Sequence, residues 1–259
     1  MSNLLEINNL SVDFPSRRGQ VAAVNKVSIS VAKGEVLGLV GESGAGKSTV
    51  GNSVINLLEP PGYISGGEII FDGTRIDKMS NEEMRKIRGA KIGTIFQDPQ
   101  TSLNPLMTIG KQLSETLVET LKISGSSALQ KSVELLDSVG IPNPDQRLNA
   151  YPHQFSGGMR QRVVIALALA GDPDLVIADE PTTALDVSIQ KQILDLIKSL
   201  CKQRNLGVII VTHDIGVIAE IADRVAVMYN GQLVEEGKVR QVLQKPKHDY
   251  TKSLISAVP

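Results

Sequence analysis

The sequence contains very little cysteine and few aromatic residues. Among 259 residues there are one cysteine, Cys201, no tryptophan, four phenylalanines and four tyrosines. A single cysteine excludes an internal disulfide and a metal site built from cysteines alone, so the chain suits a reducing compartment. Because aromatic side chains are scarce, we expect a core made mostly of aliphatic residues.

The sequence also has no large excess of positive or negative charge and no long apolar run. The 27 basic and 28 acidic residues leave a net charge of -1, so no global field draws the chain to nucleic acid or acidic lipid. The longest apolar run, 163–170, is far below the roughly 20 residues that a membrane span needs. Residues 1–10 lack the basic start and apolar core of a signal peptide. A role at a membrane would therefore require docking onto another protein.

What the sequence does contain is a glycine-rich run, GESGAGKST, at residues 41–49. It matches G-x-x-x-x-G-K-[ST], the phosphate-binding P-loop, and it follows an apolar strand and precedes a helix-compatible stretch. Its glycines let successive N–H groups point at a phosphate chain, while Lys47 would reach the β- and γ-phosphates and Ser48 would ligate Mg²⁺. A plain glycine-rich turn is the alternative, and the strand–loop–helix setting disfavours it.

Apolar patterning along the chain predicts alternating strands and helices. Asp72-Gly73 and Asn230-Gly231 are typical of two-residue hairpin turns. The helix after the P-loop is expected to end near Pro60, and leucines and valines spaced by four residues predict helices between residues 113 and 139. We predict an α/β fold with a parallel core, antiparallel pieces at both ends and a helical insertion. The predicted strands cover 4–10, 27–31, 36–40, 68–71, 91–96, 175–178, 208–211, 225–229 and 232–236.

A second motif narrows the range of P-loop proteins. The strand 175–178 ends in Asp179-Glu180, which has the form of a Walker B strand. Asp179 would hold Mg²⁺ through water, and Glu180 would polarise the water that attacks the nucleotide. The alternative is a carboxylate pair that merely caps the next helix.

A third motif, Ser156-Gly157-Gly158-Met159, opens a helix shortly before the Walker B strand. It resembles the signature of ATP-binding cassette (ABC) proteins, Leu-Ser-Gly-Gly-Gln, although Phe155 and Met159 occupy the first and fifth positions. Ser156 is a good helix N-cap, and the glycines permit close approach of a backbone. By itself this tripeptide would be only a helix cap, and its position between the other motifs favours the signature.

Further residues resemble other ABC motifs. Gln97 is similar to the Q-loop glutamine, 184–186 to the D-loop, His213 to the switch histidine that contacts the γ-phosphate, and Phe14 to the A-loop aromatic that stacks on adenine. His213 follows a core strand, where ligands bind in open α/β sheets. The resemblance covers nearly the whole chain and implies an ABC ATPase fold. It places a nucleotide-binding core at 1–96 and 171–259 and a Q-loop and helical subdomain at 97–170.

Two segments resemble one branch of the family. The run 96–105, FQDPQTSLNP, and the last stretch, 248–259, are similar to the ATPases of oligopeptide, dipeptide and nickel importers. The resemblance implies an ATP-hydrolysing subunit on the cytoplasmic face of the inner membrane, with peptides as the first expectation for the cargo and nickel or another small solute as the alternative. A soluble ABC ATPase acting on DNA or ribosomes is the alternative from another class. No nucleic-acid partner is expected.

The resemblance also implies partners and a residue set. The expected partners are two permeases, a second and different ATPase (with a homodimer left open) and, indirectly, a substrate-binding protein. ATP would lie between the P-loop of one chain and the signature of the other, with ATP and Mg²⁺ as cofactors. Catalysis would rest on Glu180, His213, Lys47 and Gln97, and Mg²⁺ on Ser48, Gln97 and Asp179. The nucleotide would be bound by Phe14, Gly41, Glu42, Ser43, Gly44, Ala45, Gly46, Lys47, Ser48, Thr49, Gln97 and Asp179, and from the other chain by Ser156, Gly157, Gly158, Met159 and Asp186.

Overall fold

Strands and helices alternate along the chain, as predicted. A computed structural model describes residues 3–16, 19–183 and 185–256. The strands are β1 (Leu5–Ser16), β2 (Gly19–Val31), β3 (Val36–Val40), β4 (Tyr63–Phe71), β5 (Thr74–Arg75), β6 (Ile92–Ile95), β7 (Leu175–Asp179), β8 (Gly207–Thr212), β9 (Arg224–Tyr229) and β10 (Gln232–Lys238). The helices are α1 (Lys47–Val54), α2 (Asn81–Arg85), α3 (Pro99–Ser102), α4 (Ile109–Leu121), α5 (Gly125–Ser138), α6 (Pro144–Arg147), α7 (Gly157–Leu169), α8 (Val187–Arg204), α9 (Ile215–Ile221), α10 (Val239–Gln244) and α11 (Asp249–Ser256), and Pro152–Gln154 form a 3₁₀ turn.

The chain divides into two compact units. The first is drawn from residues 1–85 and 200–259, and the second from residues 86–199. The predicted helical insertion, 97–170, falls inside the second unit, which also contains β6 and β7.

Four strands of the first unit form an antiparallel sheet in the order β2-β1-β4-β5. β1 and β2 are longer than predicted, and residues 17 and 18 between them lie outside the described residues. The β4–β5 hairpin turns at Asp72 and Gly73, whose φ angles of 46° and 75° are the left-handed values that such a turn requires. The hairpin predicted there is confirmed.

The first unit also holds the parallel strands that carry the P-loop. β3 pairs in parallel with β8 on one side and β9 on the other, and β10 pairs antiparallel to β9. Every residue of β3 and β8 is buried, which explains their unbroken apolar sequence. The hairpin predicted at Asn230-Gly231 joins β9 to β10.

In the second unit β6 and β7 are parallel, and α4, α5 and α7 pack together. The helices predicted between residues 113 and 139 are confirmed. Leu129 is 51% exposed, and the buried face of α5 is formed by Ala128, Ser132, Leu135 and Leu136. Those positions are four, seven and eight residues beyond Ala128, so they share one side of the helix.

One further expectation concerns the end of the helix that follows the P-loop. The helix after the P-loop ends at Val54 rather than near Pro60, because Asn56 takes a left-handed φ of 50° that breaks the helix before the prolines.

Cys201 is buried, and its burial, with the nearby Asp223 carboxylate, raises the pKa of the thiol to about 11. It therefore acts as a packing residue rather than a reactive thiol. Within the described ranges no helix combines the length and apolar character of a membrane span.

Candidate functional site

The P-loop and His213 leave the same edge of the parallel strands in the first unit. Val40, the last residue of β3, pairs directly with Thr212, the last residue of β8. Gly41 therefore begins the loop beside the point where His213 leaves β8. This is the carboxyl edge, where open α/β sheets bind their ligands.

The P-loop backbone reaches helix α1 through a left-handed glycine. Gly46 is the N-cap of α1 with φ 94°, and no side chain caps the helix. A Cβ at this position would lie 2.4 Å from the carbonyl oxygen of Ala23, so only glycine fits. With no side-chain cap, the first turn of α1 presents its N–H groups and the positive end of its dipole to an anion.

Lys47 is folded back along the loop. Its ammonium donates hydrogen bonds to the carbonyl oxygens of Gly41 and Glu42, each at 2.8 Å, and the residue is only 5% exposed. These two hydrogen bonds hold the ammonium against the backbone of the loop. The position suits a role in binding phosphate oxygens.

His213 is exposed at the end of β8. The turn that carries it is held by Asp214, whose N–H donates to the hydroxyl of Thr212 at 3.0 Å and whose carboxylate accepts from the N–H of Gly216 at 2.7 Å. These bonds fix the start of α9 and hold the backbone on either side of the histidine.

Phe14 lies near the end of β1 and is half-buried, opposite Val21 of β2. A Cβ on Gly62 would lie 2.5 Å from the ring, so the ring rests directly against the backbone of Gly62. This packing holds the ring in place, and its predicted stacking on adenine stays a prediction.

In the second unit the structure brings Gln97 and Glu180 together. Ile95 of β6 pairs with Ala178 of β7, so both chains leave the sheet at one edge. The amide nitrogen of Gln97 donates to a carboxylate oxygen of Glu180 at 2.8 Å, and the hydroxyl of Thr183 donates to the same oxygen at 2.9 Å. Both donors orient the predicted base.

Glu180 also has an unusual backbone conformation. Its φ of 46° lies in the left-handed region, which for a residue other than glycine costs about 1 kcal/mol or more. Such strain gathers at functional positions, where the surrounding structure holds a side chain in one direction. Thr183 was not among the predicted site residues, and only its position three residues after Glu180 could have indicated it.

The signature motif forms the start of α7, as predicted. Ser156 is the N-cap, and its hydroxyl accepts the N–H of Met159 at 3.3 Å. Ser156 and Gly157 are exposed, whereas Phe155 is buried with the guanidinium of Arg147 over its ring. Phe155 therefore anchors the turn and leaves the helix start open to solvent.

Only part of the predicted D-loop can be placed, because Ala184 lies outside the described residues. Asp186 is exposed, and its carbonyl accepts the N–H of Gln190 at the start of α8. The last residues of the branch-like C-terminal segment, 257–259, are outside the described residues too.

Tyr250 is a contact of the P-loop that the motif analysis did not find. Its hydroxyl accepts the N–H of Glu42 at 2.9 Å, from a position on α11 more than 200 residues further along the chain. The segment around it was noted only as a mark of the family branch. Nothing in its composition predicts a contact with the P-loop.

The sequence profile of the ABC transporter family matches residues 24–183. The chain belongs to the ABC transporter family. The match spans the P-loop, the signature and the Walker B strand in the order predicted. The ABC chain is accordingly an ATP-binding, ATP-hydrolysing subunit, and the predicted family and enzyme class are confirmed.

Relatives and solved structures agree with this assignment. The ABC chain is 52% identical to the oligopeptide transport ATP-binding protein OppD of Bacillus subtilis, over all of this chain and 73% of the relative. It is 50% identical to the dipeptide transport ATP-binding protein DppD of the same organism, over all of this chain and 78% of that protein. A dimeric ATP-binding cassette, MJ0796, solved with ADP and phosphate, superposes with a TM-score of 0.79 at 31% identity, covering 91% of this chain and 99% of that one. CbiO1 of Clostridium perfringens, part of an ABC transporter complex, gives 0.81 at 29% identity, covering 95% and 92%. The predicted fold is confirmed.

The described residues contain no group of three or more histidine, cysteine or acidic side chains that would form a protein-only metal site. Mg²⁺ does not require such a group, because it binds through one or two protein oxygens together with substrate phosphates. The hydroxyl of Ser48 and the carboxylate of Asp179 are donors of this kind.

Proposed function

We propose that this ATPase energises the import of peptides through partner permeases. The observation that carries the proposal is the identity of 50% or more, across the whole chain, to ATP-binding proteins of oligopeptide and dipeptide transport. The cargo of such transporters is selected elsewhere, so the relatives' names are the support for peptides. The chain would act as a peripheral subunit on the cytoplasmic face of the inner membrane.

We assign the nucleotide to the P-loop residues 41–49, with Lys47 on the β- and γ-phosphates and Phe14 on adenine. The proposed ligands of Mg²⁺ are the oxygens of Ser48, Gln97 and Asp179. When bound, Mg²⁺ would neutralise charge on the phosphates. We further propose that the chain forms one ABC ATPase domain, with a nucleotide-binding core at 1–96 and 171–259 and a helical insertion at 97–170.

Glu180 is the proposed general base. Its carboxylate takes a proton from water, the water oxygen bonds to the γ-phosphorus, and the bond to the bridging oxygen of ADP breaks. Two hydrogen bonds, from Gln97 and Thr183, orient that carboxylate. His213 is the proposed contact of the γ-phosphate.

The second half of the nucleotide site is proposed to come from another ATPase chain, through residues 156–159 and 186. The start of α7 supports this, because Ser156 and Gly157 are exposed there and a helix N-terminus attracts an anion. A second, different ATPase is the expected partner, and a homodimer is the alternative. The segment 97–105 is the proposed contact with the permeases.

Glu180→Gln tests the base assignment and the assembly together. The variant should bind ATP with unchanged affinity, while its turnover falls by about 10²- to 10⁴-fold, because general-base catalysis is lost. With ATP it should be held in the closed dimer on size-exclusion chromatography. Wild-type turnover in this variant would contradict the assignment of Glu180.

Pull-down of the Glu180→Gln chain with ATP from native membranes tests the partners, with Lys47→Ala as the matched control. Two permeases and a different ATPase, identified by mass spectrometry, would support a heteromeric importer. Recovery of DNA, ribosomes or the chain alone would contradict it.

Uptake assays in cells distinguish a peptide cargo from a nickel cargo. Cells that carry the Lys47→Ala chain in place of the wild type should lose uptake of a labelled tripeptide and keep uptake of ⁶³Ni²⁺. The opposite pattern would replace peptide by nickel.

A further inference from the structure

The C-terminal part of the first unit is tied to β10 by one carboxylate. Glu235 accepts the backbone N–H groups of Lys247 and His248, at 2.9 and 3.0 Å. Burial alone would raise the pKa of Glu235, but these N–H donors outweigh it and the pKa lies below its usual value. The carboxylate is therefore ionised at neutral pH and holds the chain just before α11.

That anchor sets the direction of Tyr250. The imidazole nitrogen Nδ1 of His248 accepts the N–H of Tyr250 at 3.2 Å, and the Tyr250 ring stacks on Tyr229 with centroids 4.2 Å apart. Tyr229 ends β9, and β9 is paired with the P-loop strand β3. The tyrosine side chain is thus held both by its own backbone and by a partner ring fixed to the sheet.

The Tyr250 hydroxyl contacts the peptide group between Gly41 and Glu42, which is held on both sides. The N–H of this peptide, from Glu42, donates to Tyr250 at 2.9 Å, and its carbonyl oxygen, from Gly41, accepts from the ammonium of Lys47 at 2.8 Å. The orientation of this one peptide therefore determines where one of the two carbonyl partners of Lys47 lies. Burial raises the pKa of Tyr250, so its hydroxyl stays neutral and keeps its proton.

We propose that Tyr250 is a positioning residue for nucleotide binding: its hydroxyl fixes the Gly41–Glu42 peptide and, through the Gly41 carbonyl, the Lys47 ammonium. The exposed stretch Glu42–Gly44 needs such a tether, because a glycine-rich loop loses much backbone entropy when it is ordered. A loop that is already ordered binds phosphate without that cost. The inference rests on the ATP-binding function and adds a residue from outside the family motifs.

The test compares Tyr250→Phe with Tyr229→Phe in the full-length chain. Each variant keeps the stacked rings and removes one hydroxyl, and among the described residues the Tyr229 hydroxyl makes no hydrogen bond. Tyr250→Phe should raise the Kd and KM for ATP by about 3- to 10-fold, the effect of one neutral hydrogen bond, and change kcat less than twofold. Tyr229→Phe should leave all three values within twofold.

Hydrogen–deuterium exchange measures the order of the P-loop backbone directly and does not depend on ATPase activity. In the nucleotide-free Tyr250→Phe chain, peptides that contain the Glu42 amide should exchange faster than in wild type, whereas Tyr229→Phe should match wild type. Unchanged exchange or an unchanged Kd in Tyr250→Phe would overturn the inference. Equal losses in both variants would also overturn it, because they would assign the effect to the stacked rings.

The wild-type chain separates the two levels of the proposal. A wild-type chain that does not bind ATP would overturn the assigned function and this inference with it. A wild type that binds and hydrolyses ATP, beside a Tyr250→Phe variant with normal Kd and exchange, would overturn the inference alone.

Discussion

The starts of helices α1 and α7 are both glycine-rich and both proposed to meet ATP, yet they are built in opposite ways. At α1, Gly46 has a left-handed φ, no side chain caps the helix and Lys47 is buried. At α7, the Ser156 hydroxyl caps the helix, and Ser156 and Gly157 are exposed. The P-loop is held by contacts within its own unit, whereas the start of α7 is exposed to solvent and is the surface that we propose for another chain.

The glycines show the same difference. A Cβ on Gly46 would collide with a backbone carbonyl at 2.4 Å, whereas a Cβ on Gly157 would meet, among the described residues, only Leu185 Cδ2, at an ordinary 3.7 Å. The fold of this chain therefore requires glycine at position 46 and does not require it at 157. A requirement for glycine at 157 must come from what binds there.

The largest effect is expected from Lys47→Ala, which removes the lysine ammonium of the P-loop. ATP affinity should fall by about 10- to 100-fold, because hydrogen bonds to charged groups contribute about 1.5–3 kcal/mol. Isothermal titration with ATP measures it. Lys111→Ala, at an exposed position that forms a surface ion pair with Glu115, is the matched control and should bind ATP normally. Unchanged affinity in Lys47→Ala would refute the P-loop assignment.

Two alanine substitutions test whether the fold requires glycine at position 46 and tolerates another residue at position 157. Gly46→Ala should lower the free energy of unfolding by about 1–3 kcal/mol, from its left-handed φ and the clash with Ala23. Gly157→Ala should leave stability unchanged or slightly raised, because it reduces the entropy of the unfolded chain.

Chemical denaturation of the two purified chains gives both values. Gly157→Ala should nevertheless lose ATPase activity when assembled, if the α7 surface meets a partner's nucleotide. A strongly destabilised Gly157→Ala chain would show that the glycine serves its own fold and would remove the contrast.

The smallest effect is expected at the cap of α7. Ser156→Ala should cost about 1 kcal/mol of stability, because the Met159 N–H loses its acceptor. Ser156→Asn, which keeps an N-cap acceptor, should restore most of that stability. Thermal unfolding compares the three chains. If Asn restores stability but not ATPase activity, the serine also contacts the nucleotide; if Asn restores neither, the cap assignment is wrong.

Local patterns predicted most of the elements, because each depends on near neighbours. The buried strands β3 and β8 followed from their apolar runs, and the Asp72-Gly73 and Asn230-Gly231 hairpins from their turn chemistry. One prediction failed because of a local backbone conformation: helix α1 ends at Val54, where the left-handed φ of Asn56 breaks it, and not near Pro60. Packing decided which face of α5 is buried, since Ala128 lies in the core and Leu129 is exposed.

In the candidate site, too, some residues were predicted from the sequence and others were found only in the structure. The resemblance to the ABC family implied that Gln97 and Glu180 act at one site, and the structure adds the hydrogen bond between them and the left-handed φ of Glu180. Thr183 and Tyr250 were missed, since a hydrogen-bond partner leaves no mark in a motif that does not contain it.

By itself the sequence determined the family, the chemistry and the motif residues, because the P-loop, the Walker B strand and the signature carry their meaning in residue type and spacing. Only the tertiary structure decided which groups hold those motifs in place. Glu42 and Tyr250 meet because parallel strand pairing and the stacking of Tyr229 on Tyr250 join segments more than 200 residues apart. Contacts of that range depend on packing and have no local pattern from which they could be predicted.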